Sequence, residues 1–304
     1  MIYSDYAILS LPGDPFEKDV YSMLDLRIVK TSSRIFPDGE TYIRLDEKIQ
    51  EKKIIIVQSM YPEQDRRFVE LLEILDVLRD LDKEKILLIP YLAYARQDRV
   101  FLEGEPITVR VVLDSLRNYG GSRIYVIEPH SLRFVDGTFV REISGIEIMA
   151  RKIKDLIRLN TAEKIHVVSP DQGGVERALK FARVVGGNII SFEKHRDRYS
   201  GEIKVRSPPN IMNVEGSTVF IVDDILSTGG TIAEVARIIS SYDPESIYTV
   251  CVHCLFIGKA LEKIKSSGVT KIFCGNTVST RVSSEIVEYI DLSRDVFKII
   301  LGDL

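Results

Sequence analysis

The stretch "FIVDDILSTGGT", residues 220–231, holds the pattern that decides the fold. An apolar run ends in two adjacent aspartates, Asp223 and Asp224, and small and hydroxylated residues follow before a helical pattern begins. A strand that passes through a short glycine-containing turn into a helix is the unit from which parallel α/β sheets are built. Ligands bind beyond the carboxyl ends of such strands, so we expect these two carboxylates to leave the strand together and face a ligand.

The same alternation of apolar strand-like runs with amphipathic helical runs extends along most of the chain. Strand-like runs include "KIIIVQS" 53–59, "KILLIPYL" 85–92, "RIYVIEP" 123–129, "KIHVVSP" 164–170, "NIISFE" 188–193, "TVFIVDD" 218–224 and "SIYTVCVHCLF" 246–256. The pattern predicts an α/β protein of two tandem domains, residues 1–147 and 148–304, each a mainly parallel sheet flanked by helices. The last segment, "IDLSRDVFKIILGDL", could pack against either domain, the first included.

Composition excludes several classes of protein. Of the 304 residues 45% are hydrophobic, enough for a core in each of two domains, and the net charge of −4 argues against a protein that coats nucleic acid or a membrane surface. The N-terminal sequence lacks a basic start, and no apolar run approaches the roughly 18 residues that span a bilayer. We therefore expect a cytoplasmic protein that binds neither nucleic acid nor membrane.

The cysteines could be read in two ways. Cys251, Cys254 and Cys274 are too few for a disulfide scaffold. "CVHC" at 251–254 has the spacing of half a zinc site, but no second ligand pair follows at zinc spacing. The apolar surroundings favour a buried strand in which small cysteine side chains pack.

The stretch 220–231 also offers the groups that a sugar phosphate needs. Adjacent carboxylates can accept hydrogen bonds from a vicinal diol or help to place Mg²⁺. The turn behind them can hold a phosphate monoester on backbone N–H groups and hydroxyls at a helix N-terminus, without a lysine. The candidate phosphate-binding residues are Ser227, Thr228, Gly229, Gly230 and Thr231. The alternative is a tight turn followed by an ordinary N-cap.

Six motifs together resemble a known family. "VDDILSTGGT" is similar to the phosphoribosyl diphosphate (PRPP) signature shared by type I phosphoribosyltransferases and PRPP synthetases, also called ribose-phosphate diphosphokinases. Further matches to PRPP synthetase motifs, in family order and spacing, are "RIFPDGETYIRL" 34–45, "YARQDR" 94–99, "PH" 129–130, "SPDQGG" 169–174 and "KHR" 194–196. The resemblance implies two tandem type I phosphoribosyltransferase-like domains, with ATP on the N-terminal and ribose 5-phosphate on the C-terminal side.

The N-terminal motifs carry groups suited to a nucleotide. An aromatic face can stack on a purine, acceptors can meet its exocyclic amine, and an arginine can bind a triphosphate. The resemblance implies ATP-binding roles for Phe36, Asp38, Gly39, Glu40, Arg96, Gln97 and His130. In "YARQDR", Asp98 could hold the arginines in place. The resemblance also implies that the loop "FPDGE" reaches ATP bound by a neighbouring subunit.

Metal ligands are expected at the ends of two strand-like runs. By resemblance His130 helps to bind Mg·ATP and Asp171 lies near Mg²⁺, so both are candidate metal ligands. The family usually has Asp-Leu-His where this chain has Glu128-Pro129-His130, and glutamate has a longer reach. Gly173 and Gly174 would let the backbone approach phosphate oxygens.

A basic insertion after "NIISFE" breaks the α/β rhythm. A long polar insertion at the end of a strand suits a mobile lid or a catalytic loop. Lys194 and Arg196 alternate, so in an extended loop both would project to one side. The resemblance implies that they are the catalytic cations.

The resemblance therefore implies a Mg²⁺-dependent enzyme that moves the β,γ-diphosphoryl group of ATP to O1 of ribose 5-phosphate, giving PRPP and AMP. Two alternatives are a salvage phosphoribosyltransferase, which would leave the N-terminal motifs without a role, and a non-catalytic regulatory relative, which would be expected to lose the cationic loop. A homo-oligomer built on a dimer is expected. The loop "RVFLEGEPIT" is acidic where the family is basic, which argues against activation by phosphate.

Overall fold

The structure is a computed structural model that describes residues 5–159, 164–196, 203–206 and 208–303. The side chains of residues 194–196, 203–206, 209, 210 and 212 lie outside this description. The chain forms two compact units. The first contains residues up to 143, residues 277–281 and the chain from 293 onward, and the second contains residues 144–276 and 282–292.

The first unit is a six-stranded parallel sheet with helices. Its elements in chain order are β1 (Tyr6–Ser10), α1 (Asp19–Met23), β2 (Arg27–Ile28), β3 (Thr31–Ile35), β4 (Thr41–Leu45), β5 (Lys53–Val57), α2 (Gln64–Val77), β6 (Glu84–Ile89), α3 (Thr108–Asn118), β7 (Arg123–Ile127) and β8 (Val140–Ile143). The sheet order is β2-β1-β5-β6-β7-β8, and all its pairings are parallel.

The second unit has the same design. Its elements are α4 (Gly145–Leu156), β9 (Ile165–Ser169), a 3₁₀ turn (Gln172–Gly174), α5 (Val175–Val185), β10 (Asn188–Ser191), β11 (Glu193–Arg196), β12 (Ile203–Arg206), a second 3₁₀ segment (Pro209–Val214), β13 (Thr218–Leu226), α6 (Gly230–Ser240), β14 (Ser246–Cys254), α7 (Ala260–Lys265), β15 (Lys271–Gly275) and β16 (Val287–Ile290). The parallel sheet order is β10-β9-β13-β14-β15-β16. The boundary expected at residue 147 lies inside α4.

The two sheets share one strand order and one insertion. Numbered within each unit, both sheets run second, first, third, fourth, fifth, sixth strand. In both units an antiparallel hairpin lies in the chain between the second and third sheet strands, β3–β4 in one and β11–β12 in the other. This arrangement confirms the predicted α/β class and the tandem pair of similar domains.

Central strands are buried on both faces, which explains why they are continuous apolar runs. In β5, for example, Ile54, Ile55 and Ile56 are fully buried. The last helix, α8 (Ser293–Asp303), belongs to the first unit. Its Phe297 ring makes edge-to-face contacts with Tyr21 at 5.3 Å and Phe16 at 6.1 Å between centroids.

One predicted strand end was wrong. β13 continues past both aspartates to Leu226, because β14 pairs with it as far as Cys254. The structural interpretation of "CVHC" holds, since these residues belong to buried β14 and all three cysteines are free and buried. Within the described ranges no helix is long and apolar enough to cross a membrane.

A buried histidine couples the second unit to pH. His166 in β9 is 4% exposed. Burial lowers the pKa of His166, and the nearby Lys164 charge lowers it too. Both ring nitrogens are buried without a hydrogen-bond partner among the described residues, so no contact there stabilises the protonated ring. In the unfolded chain His166 is protonated as pH falls through its ordinary pKa of about 6.5. In the folded protein it is protonated only at lower pH, so protonation favours the unfolded chain.

We predict that the protein loses stability as pH falls from about 7.5 to 5.5 and that His166→Gln removes part of this loss. Above the unfolded-state pKa the imidazole is neutral in the folded and in the unfolded protein. The difference in free energy of unfolding between the wild type and His166→Gln should therefore not change with pH in that range. Urea unfolding at several pH values measures the effect. Equal pH dependence in the two proteins would refute it.

Candidate active site

Strand β13 brings Asp223 and Asp224 to the carboxyl end of the second sheet. The two carboxylates are adjacent in sequence but differ in exposure. Asp224 is 3% exposed, and its Oδ2 lies 3.4 Å from Nη2 of Arg177. Asp223 is half-buried, and its Oδ1 accepts a 2.9 Å hydrogen bond from the Asp224 N–H. A buried, ion-paired carboxylate thus supports a more accessible one.

The loop that follows β13 ends at an open helix N-terminus. Helix α6 begins at Gly230, and neither an N-cap side chain nor an acidic first-turn residue occupies that end. The carbonyl of Ser227 accepts from the N–H of Ile257 at 3.0 Å, which ties the loop to the segment after β14. The N–H groups at a helix start, with hydroxyls beside them, suit a phosphate group.

Gly229 is needed for this loop in two respects. Its φ is +70°, a conformation that L side chains rarely adopt. A Cβ there would also lie 3.0 Å from the carbonyl oxygen of Ala260 and 3.2 Å from Cδ1 of Ile264. The backbone can therefore approach α7 only because the side chain is absent.

Asp171 caps the turn that follows β9. Its Oδ1 accepts from the N–H groups of Gly173 at 2.9 Å and Gly174 at 3.1 Å. The N–H groups of both glycines thus donate to Asp171 in this structure, and their approach to phosphate oxygens stays a prediction. The carboxylate occupies their donors, because the first N–H groups of a helical turn need an acceptor.

Arg177 is a site residue that the sequence analysis missed. It lies in the first turn of α5, is 11% exposed, and pairs with Asp224. The spacing between residues 177 and 224 gives no signal of contact. A cation in the first turn of a helix is unfavourable in the field of the helix dipole, which is the only hint that the sequence offers.

The local charge fits a divalent cation. Burial raises the pKa of Asp223 well above its ordinary value, and the charges of Asp224 and Asp171 raise it further, whereas Arg177 lowers it. No three His, Cys, Asp or Glu residues among those described form a metal site by themselves. Mg²⁺ commonly takes one or two carboxylates and completes its shell with water and substrate phosphates, so these residues fit that ion.

The predicted catalytic cations lie in the hairpin of the second unit. The backbone of Lys194 pairs with Val205, and that of Arg196 with Ile203. The residues thus belong to a strand, which agrees with the extended backbone assumed for them. Their side chains lie outside the described residues, so the catalytic roles stay predictions.

In the first unit the hairpin turn carries the predicted base-binding residues. The Phe36 N–H donates to the Glu40 carbonyl at 2.8 Å, and Gly39 has a φ of +98°. The Arg34 guanidinium lies 4.7 Å from the Phe36 ring centroid and 4.8 Å from that of Tyr42. Arg34 and Tyr42 therefore extend the predicted stacking surface.

Asp38 serves the turn as well, since its Oδ1 accepts from the Glu40 N–H at 3.2 Å. After β6, Arg96 and Gln97 are both exposed. Asp98 does not pair with Arg96 as expected, because its Oδ2 lies 3.2 Å from Nε of Arg133. Asp98 therefore does not hold Arg96, whose side chain is exposed.

His130 follows β7 and is exposed, in keeping with a ligand-facing position. Glu128 differs, since it is 2% exposed and has a φ of +42°. Its backbone N–H donates to the Ile143 carbonyl at 2.9 Å. The glutamate that replaces the family aspartate is therefore part of the interior of the first unit.

Comparisons with known proteins identify the family of the chain. A model of the N-terminal domain of ribose phosphate pyrophosphokinase matches residues 8–120, and a phosphoribosyl transferase domain model matches residues 141–286. A ribose-phosphate pyrophosphokinase of Sulfurisphaera tokodaii is 37% identical over 263 residues, which cover 86% of this chain and 89% of that protein. The chain belongs to the ribose-phosphate pyrophosphokinase family.

A second sequence relative and one solved structure are also similar to the chain. The ribose-phosphate pyrophosphokinase of Saccharolobus solfataricus is 35% identical over 284 residues, covering 92% of this chain and 94% of that one. The crystal structure of phosphoribosylpyrophosphate synthetase from Mycobacterium smegmatis has a TM-score of 0.85 and 22% identity, covering 99% of this chain and 100% of that chain. The structural likeness shows the fold, and the sequence relatives show an enzyme of the ribose-phosphate pyrophosphokinase family.

Two variants separate the capping role of Asp171 from its predicted role as a metal ligand. Asp171→Asn keeps an acceptor oxygen for Gly173 and Gly174, so we expect near-normal stability with an increased Mg²⁺ concentration at half-maximal activity. Asp171→Ala should also lose about 1 kcal/mol of stability because the cap is gone. Thermal unfolding and Mg²⁺ titrations measure both. A normal Mg²⁺ requirement in Asp171→Asn would contradict the metal role.

The conformation of Gly229 can be tested by stability alone. Gly229→Ala should lower the free energy of unfolding by about 1–3 kcal/mol, because alanine is strained at this φ and meets Ala260. Gly230→Ala is the matched control, since its Cβ would meet no atom within 4 Å. It should stay within about 0.5 kcal/mol of the wild type. Equal effects in urea unfolding would exclude the conformational explanation.

Proposed function

We propose that this protein transfers the β,γ-diphosphoryl group of Mg·ATP to O1 of ribose 5-phosphate, giving PRPP and AMP. The observation that carries the proposal is the end of β13, where two carboxylates precede an open helix N-terminus in a chain of this family. Carboxylates suit the hydroxyls of a ribose, and the helix start suits its 5-phosphate. One sugar phosphate would engage both.

Different kinds of side chain would bind the two substrates. Asp223 and Asp224 would orient the ribose hydroxyls, and residues 227–231 would hold the 5-phosphate. In the first unit Arg96 and Gln97 would bind the nucleotide, while the aromatic ring of Phe36 would stack on its base. Asp38 and Glu40 would offer acceptors to the exocyclic amine of adenine.

Transfer is a displacement at the β-phosphorus of ATP. The O1 hydroxyl attacks in line, the bond from the β-phosphorus to the α,β-bridging oxygen breaks, O1 loses its proton, and AMP leaves. Negative charge spreads over the transferring group, so fixed cations stabilise the transition state. Lys194 and Arg196 would supply them. No residue is assigned as general base.

Mg²⁺ would be held by Asp171 and the ATP phosphates, with His130 on the nucleotide side. When bound, it neutralises phosphate charge and helps to align the groups that react. Asp171 suits this position because its Oδ1 is already fixed by two backbone N–H groups. The carboxylate would therefore meet the ion without a large loss of side-chain entropy.

The alternatives explain fewer observations. A salvage phosphoribosyltransferase would use the end of β13 but not the first unit, which matches a model specific to ribose phosphate pyrophosphokinase. A non-catalytic relative would not need the cations of β11. Both alternatives are distinguished from the proposed reaction by whether the protein consumes ATP when it has ribose 5-phosphate and no nucleobase.

We also propose a dimer-based homo-oligomer. Val100, Phe101 and Leu102 are 52%, 55% and 70% exposed, an apolar run of the kind that assemblies cover. Glu105 accepts from the N–H groups of Phe101 and Leu102 and so shapes this loop. The carboxylates of Glu105 and the nearby Glu103 make the loop acidic, which supports the expectation that it does not bind activating phosphate.

The cytoplasmic location stays a prediction.

The first test is formation of AMP and PRPP from Mg·ATP and ribose 5-phosphate. We expect the wild type to form both and Lys194→Ala to lower kcat by about 10²–10³-fold, the usual result of removing one group that stabilises transition-state charge. Lys298→Ala, at an exposed lysine of α8, is the control and should keep wild-type rates. Absence of AMP with wild-type protein would exclude the proposed reaction.

A further inference from the structure

The ion pair between Arg177 and Asp224 is not explained by stabilisation of the fold. Both side chains are withdrawn from water, at 11% and 4% exposure. Removing two charges from water carries a desolvation penalty that their attraction often does not repay. A buried pair of this kind is therefore weak as a means of stabilising the fold.

The position of Arg177 in its helix points the same way. It lies in the first turn of α5, where the helix dipole repels a cation. The acidic Glu176 in the same turn and the Asp171 cap of the preceding 3₁₀ turn oppose that repulsion. Burial does not favour an arginine at this position, whereas its contact with Asp224 does.

Contacts continue from Arg177 to the more accessible carboxylate. Arg177 holds Oδ2 of Asp224 at 3.4 Å, and the Asp224 N–H holds Oδ1 of Asp223 at 2.9 Å. Without the guanidinium, the carboxylates at 223, 224 and 171 would repel one another with less compensation. The side chain of Asp224 would then turn away from its neighbours.

We propose that Arg177 is a positioning residue of the sugar-binding site, which fixes the direction of the Asp224 carboxylate and, through the Asp224 backbone, that of Asp223. This rests on the proposed function, in which both carboxylates receive ribose hydroxyls. Arg177 acts through Asp224 and does not touch the sugar itself. The requirement is for a guanidinium, because only its planar donor array holds a carboxylate in one orientation.

The proposal predicts a selective kinetic defect. Arg177→Met should lower kcat/KM for ribose 5-phosphate by about 10- to 100-fold, the range typical when a group that orients a ligand-binding residue is lost. The KM for Mg·ATP should stay at the wild-type value. Arg177→Lys keeps the charge without the planar donors, so its kcat/KM for ribose 5-phosphate should lie between those of the wild type and Arg177→Met. Added guanidinium ion should restore part of the activity of Arg177→Met only.

The matched control is Arg183→Met. Arg183 lies in the last turn of the same helix and is exposed. It should keep wild-type kinetics. If Arg177→Met does not fold, Arg177→Lys carries the test, because it preserves the ion pair in part and is expected to show the same selectivity for ribose 5-phosphate.

A double-mutant cycle separates action through Asp224 from direct action. In an Asp224→Asn background, Arg177→Met should change kcat/KM for ribose 5-phosphate by no more than about twofold, because the partner is already altered. A full defect in that background, or a larger change in the KM for Mg·ATP, would overturn the proposal. Wild-type protein that forms no PRPP would instead refute the proposed function and leave the Arg177 comparison without a reference rate.

Discussion

The pairing of β13 with β14 is the constraint on which the second unit depends. It extends the strand through Asp223 and Asp224 and so places acidic side chains where a strand interior is normally apolar. Burial there raises the pKa of Asp223, and nearby Asp171 adds negative charge. The arrangement requires compensation, which Arg177 supplies from α5. The helix that covers the sheet is therefore also part of the site.

The fold could be predicted from sequence because buried parallel strands leave an unmistakable pattern. Continuous apolar runs such as Ile54 to Ile56 are possible only when both faces are covered. The extent of a strand is less accessible, since it depends on its partner. Two aspartates looked like the end of β13, yet β14 still pairs with Leu226. The domain of α8 was undecided for a similar reason, because its contacts to Tyr21 cross almost the whole sequence.

The candidate site shows the same division. The placement of Asp171, Asp223, Asp224 and the loop before α6 at one edge of the sheet could be predicted, because they lie at the ends of strand-like runs and the carboxyl ends of parallel strands meet there. Arg177 could not, because an arginine in an amphipathic helix normally faces solvent. Nor could the use of the Gly173 and Gly174 N–H groups by Asp171, since a glycine pair suits a bound phosphate and an internal cap equally well.

The shared strand order allows the carboxyl ends of the two sheets to be compared strand by strand. The first unit exposes Arg96 and Gln97 after its fourth sheet strand and His130 after its fifth, whereas the second places Asp171 after its first sheet strand and Asp223 and Asp224 in its third. Cations and amides suit a polyphosphate, and carboxylates suit hydroxyls and Mg²⁺. One strand order thus carries different polar groups at different strands of the two sheets. The proposed reaction, between a nucleotide polyphosphate and a sugar hydroxyl, would use both kinds of group.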